Sequence, residues 1–178
     1  MPFAVELYMG DPAAIAVRQL WQSLVQEGIP SQPLALGARP HISLCVYESL
    51  DPPLVAKKLK IFARQFEPFS FVLESVDTFP GSNGVVFLAP LLSDGLIQAH
   101  RRFHKEFDRY RATASPYYLP KNWQPHCTVA EDLSSEQVSH AIEVCRKAHL
   151  PIRGQFVQIS LIEFRPIKEV CLFALGNA

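Results

Sequence analysis

The chain has 178 residues, 48% of them hydrophobic, which is enough to bury the core of one domain. Seventeen basic residues balance seventeen acidic ones, so no overall positive field favours a long nucleic acid duplex. The four cysteines form no Cys-x-x-Cys pair, the N-terminus lacks the features of a signal peptide, and no apolar stretch approaches the length of a membrane span. We therefore expect a cytoplasmic monomer with reduced thiols that binds neither membranes nor long duplexes.

The first half of the chain alternates predicted strands and helices. An apolar run at 3–9 is typical of a strand, and Asp11-Pro12 predicts the start of a helix that ends at Gly28. Residues 29–40 contain three prolines and a glycine, which predict a loop. The remaining predicted elements are a strand at 41–47, a helix from Asp51 that stops before Pro68, and two strands at 69–79 and 85–89 joined by a turn at 80–84.

The second half runs through the same steps. Ser93 or Asp94 is expected to cap a helix, and a loop at 115–123 leads into a short strand that begins at His126. Ser134 and Gln137 have the spacing of a capping box, which predicts the next helix. Two strands at 156–164 and 170–174 follow.

One short pattern occurs twice, as Pro-His-Ile-Ser-Leu at 40–44 and as Pro-His-Cys-Thr-Val at 125–129. Successive side chains of a strand point to opposite faces, so His41 and Ser43 are expected on one face of the first strand. His126 and Thr128 are expected to share a face of the second. Two such strands facing each other would form a site with two imidazoles and two hydroxyls.

The two motifs belong to a longer repeat. His41 and His126 are 85 positions apart, and this shift aligns residues 40–89 with the second half without a gap. Identical residues fall on each other at Pro40 and Pro125, Phe71 and Phe156, Val72 and Val157, Ser75 and Ser160, Phe79 and Phe164, and Ala89 and Ala174. We therefore expect a single α+β domain over residues 1–178, made of two pseudo-symmetric lobes. Each lobe would be an antiparallel sheet backed by helices, with a central cleft between the lobes.

The paired histidines indicate proton-transfer chemistry. A single strand histidine is more often structural, but two in matching positions favour a functional role. With an ordinary pKa near ~6.5, one imidazole can act as a base while the other acts as an acid. Ser43 and Thr128 would donate hydrogen bonds to an anion between the lobes, an arrangement suited to phosphoryl transfer. The repeat makes the two histidines locally alike, so the sequence does not assign acid and base.

With these motifs and this lobed pattern, the chain resembles the 2H phosphoesterase superfamily, which includes bacterial RNA 2′,3′-cyclic phosphodiesterases that are also called 2′-5′ RNA ligases. The resemblance covers nearly the whole chain and implies a site that needs no metal or other cofactor. Water would attack a cyclic phosphate while His41 and His126 act as acid and base, and Ser43 and Thr128 would bind the phosphate oxygens. The expected partner is a small nucleotide or an RNA 3′ end.

The sequence departs from the family at one place. A basic residue commonly follows the second motif closely in the ligase-like members, whereas Ala130, Glu131 and Asp132 follow it here. This difference favours hydrolysis, to a 2′-phosphate, over ligation. The alternatives are a 2′-5′ phosphodiesterase or RNA ligase that uses the same histidines, and a non-catalytic module that binds a nucleotide or RNA.

Several residues near the motifs are candidate substrate contacts. Tyr118 and Trp123 precede the second motif, where either would stack on a base or pack the loop onto its lobe. Arg39 and Lys121 are close enough in sequence to reach phosphate or sugar, or are surface charges. Tyr47 lies six positions after His41, on the same face if the strand is regular.

His100 and His104 have a spacing that metal ligands use on a helix, four positions apart. They also flank the apolar face of the predicted helix, and no acidic motif accompanies them. We therefore interpret both as residues at the edge of the core and predict no metal site.

Overall fold

The computed structural model describes residues 2–79, 81, 84–164 and 166–176. The strands are β1 (Phe3–Met9), β2 (His41–Tyr47), β3 (Phe69–Thr78), β4 (Val86–Pro90), β5 (Cys127–Ala130), β6 (Ile152–Glu163) and β7 (Lys168–Ala174). The α-helices are α1 (Ala13–Gln26), α2 (Gln32–Ala35), α3 (Pro52–Ala63), α4 (Asp94–Glu106) and α5 (Ser135–Lys147). Two 3-10 helices, Asp108–Thr113 and Pro116–Tyr118, follow α4.

All seven strands belong to one antiparallel hydrogen-bonded network in the order β2-β1-β6-β3-β4-β5, with β7 also paired to β6. The long strand β6 joins the two halves, because its residues from Phe156 onward pair with β1 while its earlier residues pair with β3. The predicted α+β fold, an antiparallel sheet backed by helices, is confirmed. The strands of the two halves form one connected sheet and not two separate ones.

The order of elements repeats along the chain. A shift of 85 positions places β2 on β5, α3 on α5, β3 on β6 and β4 on β7, to within a few residues at each end. In the sheet, the two motif strands lie at the two ends of the strand order, β2 beside β1 and β5 beside β4. Strands β1 and β4 therefore hold equivalent positions next to the motifs.

Local sequence signals explain several helix boundaries. Asp51 accepts a hydrogen bond from the backbone of Leu54 at 3.0 Å and so caps α3, with proline in the first turn. Ser93 caps α4 in the same way, and Ser134 with Gln137 forms the predicted capping box of α5. The apolar stripes of the helices, including Trp21 of α1, are buried against the sheet.

Other predicted boundaries were wrong. Pro12 is the residue that precedes α1, while the Asp11 side chain binds Arg18 at 3.3 Å and caps no backbone group. The predicted loop at 29–40 contains the short helix α2, which begins with a proline in its first turn. Strand β5 begins at Cys127, so His126 immediately precedes it. Residues 80, 82 and 83 of the predicted turn lie outside the described residues.

Within the described part of the chain, none of the helices has both the length and the apolar character that crossing a bilayer requires.

Gly84, which precedes β4, lies against the backbone of Leu133, and this close contact predicts how its replacement changes the free energy of unfolding. Gly84 has φ +61°, and a Cβ there would clash with the Leu133 carbonyl. Gly28 has φ +77° with open space around it, so Gly28→Ala serves as a control that tests strain alone. We expect Gly28→Ala to cost about 1 kcal/mol and Gly84→Ala about 3 kcal/mol or more, because backbone overpacking adds to the strain. Urea unfolding of both variants measures the difference, and equal losses would contradict the prediction.

Candidate active site

Each motif strand contains a β-bulge at the residue after its hydroxyl. Two adjacent β1 residues pair with Ser43 and Cys45, so Leu44 is skipped in the β1–β2 register. The β4–β5 register skips Val129 in the same manner. The flanking pairs are Val5 with Cys45 and Glu6 with Ser43 in the first half, and Val86 with Ala130 and Phe87 with Thr128 in the second.

The bulge reverses the alternation of side chains in β2. His41 and Ser43 are partly exposed, as predicted, but beyond Leu44 it is Val46 that lines the cleft. Tyr47 is only 2% exposed and points into the core, where burial raises the pKa of its hydroxyl. The prediction that Tyr47 borders the cleft was therefore wrong, because it assumed a regular strand.

The carbonyls at the bulges are bound by side chains from the opposite half of the chain. The Trp123 indole N–H donates to the Ser43 carbonyl at 3.1 Å, and the Trp21 indole N–H donates to the Thr128 carbonyl at 3.2 Å. A bulge disrupts the ladder locally, so buried carbonyls there need other donors. The two tryptophans therefore occupy corresponding roles, one for each motif.

The next carbonyl in each motif strand also accepts a hydrogen bond from a side chain of the opposite half of the chain. His104 Nε2 lies 3.3 Å from the Leu44 carbonyl and acts as its donor, because a carbonyl only accepts. The hydroxyl of Ser31, which is buried, donates to the Val129 carbonyl at 2.8 Å. The first half of the chain thus supports the second motif, and the second half supports the first.

The four motif side chains line one cleft of about 210 Å³. His41 and Ser43 come from β2, Thr128 comes from β5, and His126 immediately precedes β5. Other lining residues include Glu6, Val46, Tyr118 and Glu131. The structure therefore brings both halves of the duplicated motif to a single site.

The two imidazoles are held in the same orientation. His41 Nδ1 donates to the carbonyl of Arg39, and His126 Nδ1 donates to the carbonyl of Gln124, each at 2.7 Å and each two residues upstream. With the proton of the neutral ring fixed on Nδ1, Nε2 is the nitrogen that is left to accept or donate a further proton.

The surroundings of the two imidazoles differ. Phe79 and Phe87 pack against His126, with ring centroids at 5.0 and 5.5 Å. Burial lowers the pKa of His126, the nearby charge of His41 lowers it further, and the hydrogen bond to Gln124 opposes this shift. His41 Nε2, in contrast, lies 3.3 Å from the Glu6 carboxyl, which is 5% exposed.

Of the four other predicted substrate contacts, one lines the cleft and three do not. Tyr118 lines the cleft, and burial raises the pKa of its hydroxyl to about 12, so it remains a donor at neutral pH. The Trp123 ring stacks on His100 with centroids 3.6 Å apart, so this face is occupied by protein. Arg39 lies over the Tyr8 ring and pairs with Glu169 at 3.9 Å, away from the cleft lining. Lys121 is exposed outside the lining.

His100 and His104 take structural roles, as their edge-of-core interpretation predicts. His100 Nε2 donates to the Tyr118 carbonyl at 3.0 Å, and burial lowers its pKa to about 3. Across the described residues no group of three or more histidine, cysteine or acidic side chains is arranged to hold a metal ion. The spacing that resembles a metal motif thus serves the packing of Trp123 and the support of β2.

Sequence analysis missed two kinds of residue at this site. Glu6 was overlooked although it is the one charged residue in the apolar run of β1, and that isolation was a usable signal. Trp21 lies in the buried apolar stripe of α1, and nothing in that pattern indicated that its indole N–H would bind the Thr128 carbonyl. Ser31, in the predicted loop, gave no signal, because its partner lies 98 positions away.

Comparison with known proteins agrees with the observed fold. The family model of the 2′-5′ RNA ligase superfamily matches residues 11–166. The structure of TT0787 from Thermus thermophilus covers 100% of both chains with a TM-score of 0.70 and 14% identity. That of Escherichia coli LigT with 3′-AMP covers 98% of both chains with a TM-score of 0.57 and 16% identity. Curated proteins yielded no significant match.

The protein belongs to the 2′-5′ RNA ligase superfamily, because the family model spans most of the chain. These are 2H phosphoesterases, so the predicted family is confirmed. At these identities the solved structures show a shared fold alone, and the LigT structure with 3′-AMP shows a nucleotide bound to that relative.

Ser31 donates to a buried carbonyl at the second bulge, so its replacement is predicted to lower the stability of the protein. Ser31→Ala leaves the buried Val129 carbonyl without its 2.8 Å donor and should lower the free energy of unfolding by about 1–3 kcal/mol. Ser139→Ala is the control, since that exposed hydroxyl donates to the Ser135 carbonyl in the preceding turn of its own helix. It should change stability by less than about 0.5 kcal/mol. Urea denaturation measures both, and a Ser31→Ala loss no larger than that of the control would contradict the structural role.

Proposed function

We propose that the protein is a metal-independent phosphodiesterase that hydrolyses a 2′,3′-cyclic phosphate on a nucleotide or RNA 3′ end to a 2′-phosphate. The observation that carries the proposal is that both histidines and both hydroxyls of the duplicated motif line one cleft. Each imidazole has its Nδ1 proton bound to a carbonyl, which leaves Nε2 for catalysis. A module that only bound a nucleotide would not need two such nitrogens.

In this mechanism a water molecule attacks phosphorus while one Nε2 removes its proton. The bond from phosphorus to the ribose 3′ oxygen breaks, and the second imidazole gives that oxygen a proton. The product is a 2′-phosphate with a free 3′ hydroxyl. The base has gained one proton and the acid has lost one, and exchange with solvent restores both.

The hydroxyls of Ser43 and Thr128 would hold the non-bridging phosphate oxygens. Hydrogen bonds to charged groups contribute more than those between neutral groups, so two such donors position the substrate effectively. Glu6 and Glu131 also line the cleft. A cyclic phosphodiester carries a single negative charge, and it fits a cleft containing carboxyl groups better than a group with several charges does.

A second cavity extends the site beyond His126. Its lining includes Phe79, Tyr117, Tyr118, Asn122 and Gln124, together with His126 itself. Tyr117 is 78% exposed, so its ring is available to stack on a base. The nucleotide seen in the LigT structure supports a nucleotide as the substrate here. The nucleobase would then lie on the His126 side of the phosphate.

The test is hydrolysis of 2′,3′-cyclic mononucleotides in the presence of EDTA. His41→Ala and His126→Ala should each lower kcat/KM by about 10²–10⁴-fold, and the double variant should lose less than the product of the two. His140→Ala is the control, because that imidazole is exposed on α5 and its ion pair among the described residues is with the exposed Glu27. Near-wild-type rates in both single variants would refute the proposal, as would activity that EDTA abolishes and a divalent ion restores.

Replacement of the hydroxyls separates phosphate binding from proton transfer. Ser43→Ala and Thr128→Ala each remove one hydrogen bond to charged phosphate, so we expect kcat/KM to fall about 10- to 100-fold. Steady-state kinetics beside the histidine variants measures this. If the serine and histidine variants lost equal activity, phosphate binding and not proton transfer would dominate the site.

A further inference from the structure

The charges of the chain are unevenly distributed over its helices. Residues 52–64 and 94–111, which contain α3, α4 and most of the first 3-10 helix, carry nine of the 17 basic residues and three of the 17 acidic ones. These two segments therefore have a net charge of +6, in a chain whose formal net charge is zero. The rest of the chain is acidic by the same amount.

Helices α3 and α4 pack side by side. The Phe62 ring of α3 lies edge-on to the Phe103 ring of α4, with centroids 5.8 Å apart. The Lys58 ammonium donates to the Glu106 carbonyl at the end of α4. The outward sides of the two helices therefore form one surface. Six exposed cations of this surface have no carboxylate within ion-pair distance among the described residues, and we call them the basic face: Lys57, Lys60, Arg64, Arg101, Lys105 and Arg109.

The acidic residues of the two segments do not neutralise the basic face. Glu106 pairs with Arg102 at 3.1 Å, and Asp108 pairs with Arg111 at 3.7 Å, so two acids are matched by two other arginines. Asp94 lies in the first turn of α4, where a carboxylate is favoured by the helix dipole. Residues 52–64 contain no acidic residue at all.

The spacing of the basic face is unfavourable for an isolated protein. Lys57 and Lys60 are three positions apart on α3, and Lys60 and Arg64 are four apart. Arg101 and Lys105 are four apart on α4. Residues at these spacings are neighbours on a helix surface, where like charges destabilise the helix. A bound polyanion relieves this repulsion, so the pattern points to an anionic partner.

Helix α5, which holds the place of α3 in the repeat, shows the usual pattern of a solvated helix. It carries two acidic residues, Glu136 and Glu143, and two basic residues, Arg146 and Lys147. Glu143 is four positions before Lys147, which is the favourable order for opposite charges on a helix. The excess of positive charge is thus a property of the α3–α4 side and not of the fold.

The basic face extends to the wall of the cleft. Arg109 lies in the 3-10 helix Asp108–Thr113, and the chain that follows it contacts β2, where the Ser115 N–H donates to the Val46 carbonyl at 2.8 Å. Val46 and Tyr118 both line the cleft. A polymer whose end occupies the cleft can therefore continue along the 3-10 helix onto α4 and α3.

We propose that the basic face binds the RNA strand that precedes the 3′ end held in the cleft, so that the substrate class is a single-stranded RNA and not a free cyclic nucleotide. This inference rests on the proposed function for the position of the 3′ end. It adds a binding surface outside the catalytic cleft and assigns that surface its partner.

Single-stranded RNA matches the features of this surface. Its phosphates supply one negative charge per nucleotide, which complements a row of cations. Tyr117, beside the cleft, is 78% exposed and can stack on a base of the strand. An anionic membrane would also be attracted, but binding in a lipid interface needs a broad apolar face. The outward side of α3 offers only the partly exposed Leu54 and Ile61 between its cations.

The test is binding of a short, 5′-labelled single-stranded RNA with a 3′ hydroxyl, followed by fluorescence anisotropy at several salt concentrations. The variant combines Lys60→Gln with Arg64→Gln at the end of α3. Loss of two phosphate contacts should raise Kd about 10- to 30-fold near ~0.1 M salt and lower the slope of log Kd against log salt by about 1.4. Arg101→Gln with Lys105→Gln on α4 should have a similar effect.

The matched control combines Arg146→Gln with Lys147→Gln, which removes the same charge from the end of α5. These exposed charges lie outside the basic face and are screened by salt, so Kd should change less than about 3-fold. Kinetics gives a second readout. In the α3 variant, kcat/KM for an RNA that ends in a 2′,3′-cyclic phosphate should fall relative to kcat/KM for a cyclic mononucleotide.

Three outcomes would overturn the proposal. The first is a wild-type protein that does not bind the RNA, and the second is an α3 variant that loses no more affinity than the α5 control. The third is loss of binding to phosphatidylserine–phosphatidylcholine vesicles in the α3 variant with RNA binding unchanged, which would assign the basic face to a membrane. Because the RNA has a 3′ hydroxyl, binding does not depend on turnover. A protein that binds RNA through this face but hydrolyses no cyclic phosphate would refute the proposed reaction and retain the basic face.

Discussion

The site depends on the two bulges and on the donors that bind their carbonyls. Each bulge reverses the alternation of the side chains that follow it and takes the neighbouring carbonyls out of the regular ladder. The indoles of Trp21 and Trp123 satisfy these carbonyls from the opposite half of the chain. A buried acceptor that loses its donor costs about 1–3 kcal/mol, so the packing of the halves and the orientation of the motifs rest on the same bonds. The core of the fold thereby positions the side chains of both motifs.

A duplicated site has a chemical problem that duplication itself creates. Two identical imidazoles in identical surroundings would give no preference for which ring is protonated, although acid and base catalysis needs one protonated and one neutral ring. Here the backbone, the bulges and the Nδ1 contacts are repeated, while the neighbour of Nε2 is not. Glu6 in one lobe and Phe87 in the other give the two rings different electrostatic surroundings without altering either strand. The scaffold can remain symmetric because the asymmetry is confined to side chains.

Features set by nearby residues were predictable from sequence. The bounds of β2, the Asp51 cap and the capping box of α5 follow from strand alternation and from hydrogen bonds within a few positions. Features set by strand pairing and by contacts between distant elements were not predictable from sequence. The direction of Tyr47 depends on a bulge that forms only against β1, and the Trp123 ring is covered by His100 of α4. The position of Glu6 beside His41 likewise depends on sheet register, which the sequence of β1 does not specify.

The central claim is that the two halves of the chain form one phosphate-binding site with both histidines in it. The most direct measurement is a titration of the intact protein with inorganic phosphate, followed through the NMR signals of the histidine rings. The account predicts that His41 and His126 respond together with one dissociation constant, while the exposed His140 and His149 do not follow that curve. If only one of the two motif histidines responded, or if they responded with separate constants, the two motifs would not form a common site.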